Sequence, residues 1–299
     1  MTAKRNSKLV DILLIAMMIL PIVLCILLQI LFKPASEGIN VEGAYIYFTI
    51  PMPIQDLPIT ESQVNSWAVM IAILGLCLFL TRRLRTKDVS VRQHVAEWMV
   101  EKVEGLVGEN MDPHFKSFGP FIAAILGLSA FSSLLSLFGL YPPTSDLNVV
   151  AGWAILVFAL ITYNKFKCGP VYYLKSMTKP VAALTPINLI SEFATPISMA
   201  FRHYGNVLSG TVISVLVAAG LGGLSAAVLS FLPDALSSIP LLRIGIPAVL
   251  SIYFDVFSGC LQAFIFAMLT MMYVSGGFPG EDYYARRDKI KAKKQNGGN

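Results

Sequence analysis

Charged side chains are scarce in this sequence. Only 14% of its 299 residues are Asp, Glu, Lys or Arg, whereas 55% are hydrophobic. Soluble domains carry about 25% charged residues, so the scarcity argues against an ordinary soluble protein. Proline and glycine occur within the apolar runs, as helices in a bilayer tolerate. The composition therefore predicts an all-α, polytopic membrane protein in contact with the lipid bilayer.

Several kinds of site are also missing. The four cysteines lie far apart without a CxxC pair, and the three histidines show no ligand spacing, so we predict no metal site. No GxxxxGK[ST] phosphate loop occurs, so we predict no nucleotide site, no cofactor and no catalytic role. The net charge of +5 does not indicate a nucleic-acid partner, because the basic residues flank apolar runs, as the positive-inside rule describes.

About six apolar runs predict membrane helices, since a spanning helix needs roughly 20 residues. They are Val10–Phe32, Asn65–Leu80, Phe118–Leu140, Val149–Tyr163, Pro186–Phe231 and Leu241–Val274. The last two predict a long C-terminal hairpin. A helix over its first arm would be about 65 Å long against a hydrocarbon core of about 30 Å. It must therefore be strongly tilted or broken, and Pro196 is a candidate kink.

Three further segments have patterns of their own. The first run follows three basic residues and fits an uncleaved helix or a signal peptide. We favour the helix, because the run exceeds an h-region of about 7–15 residues and no small-x-small site follows. Val89–Val107 has apolar residues at helical spacing, which predicts an interfacial amphipathic helix or, alternatively, a soluble-facing helix packed on a partner. The basic tail "ARRDKIKAKKQNGGN" is predicted to be disordered.

The distribution of Lys and Arg predicts one topology. Both termini lie inside, as do "RRLRTK" and Lys165–Lys179, whereas the Lys33–Gln63 loop and the "PPTSD" turn lie outside. We predict an N-terminal extension with one helix (1–43), a membrane domain (44–280) and a basic cytoplasmic tail (281–299).

Ionisable side chains within membrane helices cost about 2.5–3.5 kcal/mol on insertion scales and commonly mark ion pathways. In the long hairpin, the ionisable and amide side chains of interest are Glu192, Arg202, His203, Asn206, Asp255 and Gln262. Small residues Ser198, Gly205, Ser209 and Gly210 leave one side of the first arm open to a close helix partner.

The spacing of these residues predicts a layout. Arg202 and Asn206 are i, i+4, and Asp255 and Gln262 are i, i+7, so each pair shares a helix face. In an antiparallel hairpin Gln262 faces Arg202, with Glu192 and Asp255 displaced to opposite sides of the membrane. This suits two aqueous half-paths that meet at a fixed cation.

Structural alternatives remain open at this stage. Arg202 lies too deep to reach the interface easily by snorkelling, which favours a functional role. Glu192 and Asp255 serve either an ion path or pairing within the bundle. His203 points about 100° away from Arg202, and we interpret it as a packing or hydrogen-bonding residue.

Two stretches carry a family resemblance. "PINLISEFATPISMAFRHYGNVLSG", read with "LQAFIFAMLTMMYVS", resembles subunit a of F-type ATP synthases, and "PPTSDLNVV" looks like the family's turn. The resemblance covers roughly Ala44 to Gly276. It implies that Arg202 is the arginine facing the c-ring carboxylate, with Asn206 and Gln262 as its polar neighbours. It also implies that Glu192 is the acidic position before the arginine and that Asp255 lies in the outer half-channel.

The resemblance further implies a function. The chain would be a non-catalytic stator subunit of the bacterial inner membrane. It would supply two proton half-channels to the c-ring, with subunit b of the peripheral stalk as a second partner. The arginine would prevent proton leak and so couple translocation to rotation. The alternative is a secondary ion-coupled transporter with an intramembrane arginine site, although no internal repeat supports it.

Overall fold

The computed structural model describes residues 2–33, 43–53, 55–87, 89–178, 182–228, 245, 249–250 and 252–296. Its α-helices are α1 (Thr2–Phe32), α2 (Glu61–Thr81), α3 (Val91–Asn110), α4 (Gly119–Leu134), α5 (Leu147–Lys165), α6 (Pro170–Met177), α7 (Thr185–Val228), α8 (Gly259–Gly276) and α9 (Gly280–Asn296). A π-helix, Ile252–Ser258, leads into α8. Short 3₁₀ turns are Pro113–Phe118, Leu135–Phe138, Pro143–Ser145, Phe166–Cys168 and Ala182–Leu184.

The prediction of an all-α polytopic membrane protein is confirmed. Within the described residues, six helical stretches are long and apolar enough to cross a membrane, and they are Lys8–Phe32, Glu61–Thr81, Pro113–Phe138, Leu147–Lys165, Thr185–Ser225 and Ile252–Gly276. They match the six predicted runs in order. The connector between the arms of the predicted hairpin lies outside the described residues.

One small sheet was not predicted. Within the loop before α2, strands β1 (Ile46–Ile50) and β2 (Leu57–Thr60) form an antiparallel hairpin. The chain then enters α2 through Thr60, which caps the helix in a capping box with Gln63.

Helix α1 packs along α2 over most of its length. A Cβ on Gly75 would lie 3.1 Å from the Met18 side chain, so the two backbones approach closely there. Polar contacts close both ends of this pair. Asp11 pairs with Arg82 at 2.8 Å, and Lys33 pairs with the buried Glu61 at 3.3 Å. Whether the N-terminal segment is retained stays a prediction, but α1 packs on α2 and forms ion pairs at both ends of that contact.

The centre of the bundle forms around α8. This helix buries one continuous face, whose residues are Ala263, Phe266, Ala267, Met271 and Val274, and it packs against α4, α5 and α7. Gly259 begins α8 directly on α4, because a Cβ there would lie only 2.7 Å from the Cβ of Ser133. The small residues thus set how closely α8 approaches α4.

The bundle has two chemically different ends. We call the end with the β1–β2 hairpin and the turn of residues 139–146 the turn end. The opposite end, which we call the basic end, holds α3, α6 and α9. The two names carry no assumption about the side of the membrane.

Helix α7 is continuous over 44 residues and passes through Pro196 without interruption. Its length of about 66 Å at 1.5 Å per residue is twice a hydrocarbon thickness of about 30 Å. Of the two options that the sequence left open, a break and a strong tilt, the described part of the helix supports the tilt.

Helix α3 exists as predicted, and Val91, Val95 and Met99 are exposed. Val107 is instead buried in the core. The position of helix α3 at a membrane interface stays a prediction. The predicted disorder of the tail is wrong as far as Asn296, because the chain there forms α9.

We expect Gly259→Ala to destabilise the bundle, since the methyl group must displace α4 or α8. Overpacking of this kind typically costs about 1–3 kcal/mol. The control is Gly127→Ala, where nothing lies within 4 Å of the added Cβ. Thermal unfolding of the detergent-solubilised protein measures both. Equal midpoints for the two variants would contradict the close contact between Gly259 and Ser133.

Candidate functional site

The predicted site residues Arg202 and His203 lie on different faces of α7, one exposed and one buried. The Arg202 side chain is exposed and makes no hydrogen bond or ion pair with the residues that the structure describes. His203 is completely buried. An arginine on a spanning helix is therefore presented outward from the bundle, while the next residue anchors the helix inward.

His203 is held by three helices. Its Nε2 lies 3.3 Å from the Ser129 hydroxyl of α4. Its ring meets Trp153 of α5 and Phe266 of α8 edge to face, with centroid distances of 6.1 and 5.4 Å. These contacts support the interpretation of His203 as a packing and hydrogen-bonding residue.

The predicted polar neighbours Asn206 and Gln262 meet across α7 and α8. The Asn206 amide donates to Gln262 Oε1 at 2.6 Å. Asn206 is exposed one turn after Arg202, whereas Gln262 is only 2% exposed. The hydrogen bond fixes the two long helices against each other next to the arginine.

Glu192 is engaged at the basic end. Its carboxylate pairs with Lys165 of α5 and accepts a hydrogen bond from the Tyr173 hydroxyl of α6. Burial, and then the hydrogen bond to Glu192, raise the pKa of Tyr173, so the phenol stays a neutral donor. The sequence marked Lys165 only as a basic flank and did not single out Tyr173.

A cavity of about 450 Å³ opens beside this carboxylate. It lies between α5, α7 and α8, and several of its lining side chains are polar. These are Lys165, Asn188, Ser191, Glu192, Thr195 and Tyr273. Glu192 is therefore paired within the bundle, which was one of its two predicted alternatives, and it also borders a polar cavity. Its role in an ion path stays a prediction.

Asp255 lies in the π-helix and is half-buried. A π-helical turn follows i→i+5 spacing and is frequent at functional sites. We predicted from α-helical i, i+7 spacing that Asp255 and Gln262 share one helix face. That spacing does not apply across a π-helical turn, so the shared face stays a prediction. Gly210 of α7 packs against the neighbouring residue, since a Cβ there would lie 3.1 Å from Phe254.

The outward face of α7 differs from the prediction in one residue. Gly210 faces Phe254 of the same chain and does not belong to the face that a partner helix would meet. Gly205 has open space around it, and Ser198 and Ser209 are exposed, as predicted. The open face thus combines small residues with Arg202.

A second group of polar residues lies at the turn end. The Ser62 hydroxyl donates to Asp146. The Asp146 side chain also caps α5, because its Oδ1 accepts from the backbone N–H of Asn148 at 2.9 Å. The Tyr141 hydroxyl donates to the Ser145 carbonyl at 3.0 Å. Burial, followed by the charges of Asp146 and Glu61, raises the pKa of Tyr141 to about 12. Asp146 is therefore a helix cap and also part of a larger polar cluster.

The fold and the site together define a class. Among the described residues there are six apolar helical stretches, and the long helix α7 presents an arginine outward beside an amide pair that it forms with α8. Such an arrangement is typical of membrane proteins that transport ions.

Comparison with known proteins agrees with this class and narrows it. Residues 63–275 match the family described as ATP synthase A chain. The chain is 29% identical over 279 residues to "ATP synthase subunit a, sodium ion specific" of Propionigenium modestum, covering 81% of this chain and 88% of the relative. It is 32% identical over 239 residues to ATP synthase subunit a of Priestia megaterium, covering 74% and 94%. The corresponding subunit of Legionella pneumophila strain Paris is 28% identical over 253 residues, covering 83% and 99%.

The chain belongs to the ATP synthase A chain family. It is therefore a membrane-sector subunit of a bacterial F-type ATP synthase. The resemblance inferred from Arg202, Asn206 and the surrounding stretches is confirmed. The roles of the individual residues and the division into 1–43, 44–280 and 281–299 stay predictions.

We expect energetic coupling between Lys165 and Glu192. Lys165→Met leaves the half-buried carboxylate without its cation, whereas Lys165→Met combined with Glu192→Gln removes both charges. The double variant should lose less stability than the sum of the single variants, by about 0.5–3 kcal/mol. Thermal release of the subunit from the purified complex measures each variant. Additive losses would contradict a direct pair.

Proposed function

We propose that this subunit conducts protons through two half-paths that meet at Arg202, against the c-ring. The observation that carries the proposal is the outward position of Arg202 on the long helix α7, without an ion-pair partner among the described residues. A guanidinium keeps its charge, since its pKa exceeds 12. It therefore offers a permanent counter-charge to a carboxylate on a partner that slides past α7.

The positions of the two carboxylates support opposite half-paths. Glu192 precedes Arg202 by about 15 Å of helix rise and opens to the cavity at the basic end. Asp255 lies in the π-helix before α8, on the way to the turn end. By the positive-inside rule, the basic end is cytoplasmic, so Glu192 serves the inner half-path and Asp255 the outer one. The C-terminal helix α9 is then cytoplasmic too.

The arginine has two tasks in this proposal. A c-ring carboxylate must be neutral to face lipid but can be charged beside Arg202, so proton binding and release at the two half-paths bias the direction of rotation. The fixed cation also repels protons, which prevents a direct leak between the half-paths. Each charge that crosses the membrane potential contributes about 2.3 kcal/mol per 100 mV, and the subunit itself performs no catalysis.

The shape of α7 fits this role. In an apolar window of 18 residues on α7 only 6% of the residues are buried, against 33% in the corresponding window of Pro113–Phe138. A tilted helix with one uncovered face can lie across several helices of a curved ring, and the small residues Gly205 and Ser209 permit close approach. Subunit b of the peripheral stalk and the lipid bilayer are the other partners that we propose.

The secondary-transporter alternative loses support. Membership of the ATP synthase A chain family supports our proposal of a partner subunit for Arg202, whereas a transporter needs a substrate site within this chain. The coupling ion could be the proton or sodium, because one relative is named sodium ion specific. We propose protons, and a test at varied external sodium separates the two ions.

Arg202→Ala should abolish ATP-driven proton pumping by the assembled complex in inverted vesicles. The subunit should still assemble, because the exposed side chain holds no other helix. Arg287→Ala is the matched control, since it removes a cation from α9 outside the spanning helices and should pump normally. Normal pumping by Arg202→Ala would refute the proposal. If external sodium stimulates ATP hydrolysis by the complex, the conducted ion is sodium and not the proton.

Asp255→Asn should lower pumping without abolishing it. The amide keeps the size and polarity of the side chain but removes the group that exchanges protons, while water near the π-helix would still carry protons more slowly. Initial rates of fluorescence quenching in inverted vesicles measure the loss, with Glu101→Gln on the surface of α3 as the control. A wild-type rate would exclude Asp255 from the outer half-path.

A further inference from the structure

Helix α9 is a folded C-terminal element outside the segment that matches the family. The match ends at residue 275, whereas α9 extends from Gly280 to Asn296. It begins four residues after α8 ends at Gly276, which is also the end of the last spanning stretch. The conduction that we propose uses no residue of α9, so this helix needs an explanation of its own.

Contacts in its first two turns hold α9 against the basic end. The Tyr284 hydroxyl donates to Asp112 Oδ1 at 3.1 Å, and a Cβ on Gly169 would lie 3.9 Å from Nη1 of Arg286. Asp112 directly precedes the third spanning stretch, and Gly169 follows the end of the fourth by four residues. Two neighbouring positions on α9 thus reach the ends of two spanning stretches, which places the start of α9 at the level where these stretches leave the membrane.

Tyr283 marks the side of α9 that faces the bundle. It packs against the apolar core, and its ring lies 5.2 Å from that of Phe278, measured between centroids. The Phe278 ring is itself held by His114, which stacks on it at 4.5 Å, and by the Lys167 ammonium at 5.4 Å. Because the bundle spans the membrane, the side of α9 that carries Tyr283 is also its membrane side.

Helical register extends this side into the second half of α9. Ile290 follows Tyr283 by seven positions, so both positions lie on one face. Positions two residues from Ile290, which are Asp288 and Ala292, lie about 200° around the helix and therefore on the opposite face. Four lysines lie within four positions of Ile290 but not on that opposite face, and we call them the lysine group. They are Lys289, Lys291, Lys293 and Lys294.

General rules of helix charge explain only part of this pattern. Acidic residues near the start of α9 and basic residues near its end favour the helix dipole, which accounts for their order along the chain. It does not account for their distribution around the helix. Glu281 and Ala285 lie two positions from Tyr283, just as Asp288 and Ala292 lie two positions from Ile290. Two acidic residues and two alanines therefore share the side away from the membrane.

The composition of this half of α9 favours lipid over protein as its partner. Ile290 is the only large apolar residue after Tyr284, which is little for the apolar core of a protein interface, and lysine is depleted in such cores. Clusters of four to eight basic residues beside a membrane helix are instead typical of segments that bind anionic lipids. Lysine stems can also lie along the acyl boundary while the ammonium groups stay at the headgroups.

We propose that the second half of α9 binds the headgroups of anionic phospholipids at the basic end, through the lysine group and Ile290. The phosphates of such lipids complement the positive charge of the lysine group. Each basic residue near an anionic surface strengthens binding about fivefold. The proposal uses neither Arg202 nor the direction of ion flow, so its test is independent of the proposed function.

A fluorophore on α9 tests this contact in the assembled complex. The label is carried by Ile290→Cys or, as the matched control, by Ala292→Cys, which lies at nearly the same point along the helix but on its opposite face. In all variants serine replaces the native cysteines, which are Cys25, Cys77, Cys168 and Cys260.

The complexes are reconstituted into vesicles of phosphatidylcholine alone or of phosphatidylcholine with an equal part of phosphatidylglycerol. Acrylamide should quench position 290 at least about fivefold less in the anionic vesicles, because even one lysine strengthens binding by that factor. Position 292 should be quenched equally in both kinds of vesicle. At about 1 M salt the Debye length falls to about 3 Å, so quenching at position 290 should return to its value in phosphatidylcholine.

Three outcomes would overturn the proposal. Strong and equal quenching of position 290 in both kinds of vesicle would show that no lipid covers it. Weak quenching in both, unaffected by salt, would show that a protein subunit covers this face instead. An equal loss of quenching at positions 290 and 292 in anionic vesicles would show that the contact has no preferred face.

Substitution of the lysine group tests the charge itself. The combination of Lys289→Gln, Lys291→Gln, Lys293→Gln and Lys294→Gln should abolish the difference between the two kinds of vesicle at position 290. The same four positions changed to arginine should keep the difference, because arginine retains the charge. Glutamine and arginine have helix propensities close to that of lysine, so α9 should stay helical in both variants. An undiminished difference in the glutamine variant, or its loss in the arginine variant, would contradict the role of the lysine group.

Discussion

A permanent cation on a membrane helix is the constraint on which this structure depends. Arg202 cannot become neutral, and an unpaired charge in the hydrocarbon layer is costly. The bundle therefore directs Arg202 outward and fixes that direction from the inside. His203 holds α7 against α4, α5 and α8, while the Asn206–Gln262 hydrogen bond secures the next turn. The inward contacts of His203 and Asn206 thus fix the rotation of α7 that keeps Arg202 pointing outward.

Polar chemistry is distributed unevenly along the bundle. The basic end contains the Lys165–Glu192 ion pair beside a cavity of about 450 Å³. The turn end contains several hydroxyls, the helix-capping Asp146 and the buried Glu61. Between them, the buried face of α8 is apolar apart from Gln262 and Thr270. Two polar regions separated by an apolar centre is the arrangement that two half-paths require. It also explains why a single long, tilted helix connects the features of both ends.

Sequence patterns predicted those features that depend on one segment at a time. The order of the six spanning runs followed from hydropathy, and the angle of about 100° between Arg202 and His203 followed from helical geometry. Features that depend on distant segments were missed, such as the partners of Glu192, which lie 27 and 19 residues away. Gly210 was placed on the wrong side because the position of Phe254 cannot be known from α7 alone. Helix α9 was predicted to be disordered because its polar sequence has no apolar face.

The choice of uncharged polar groups near Arg202 has a physical reason. A carboxylate at about 4 Å from the guanidinium would gain about 4 kcal/mol even at an effective dielectric constant near 20, and it would occupy the arginine permanently. The side chains of serine, asparagine, glutamine and histidine carry no negative charge and therefore do not compete for the cation. The nearest acidic residue before it on α7, Glu192, is kept about 15 Å away along the helix and is paired with Lys165. In the function that we propose, Arg202 is then available to a carboxylate that arrives with a partner and leaves again, which a fixed internal counter-ion would prevent.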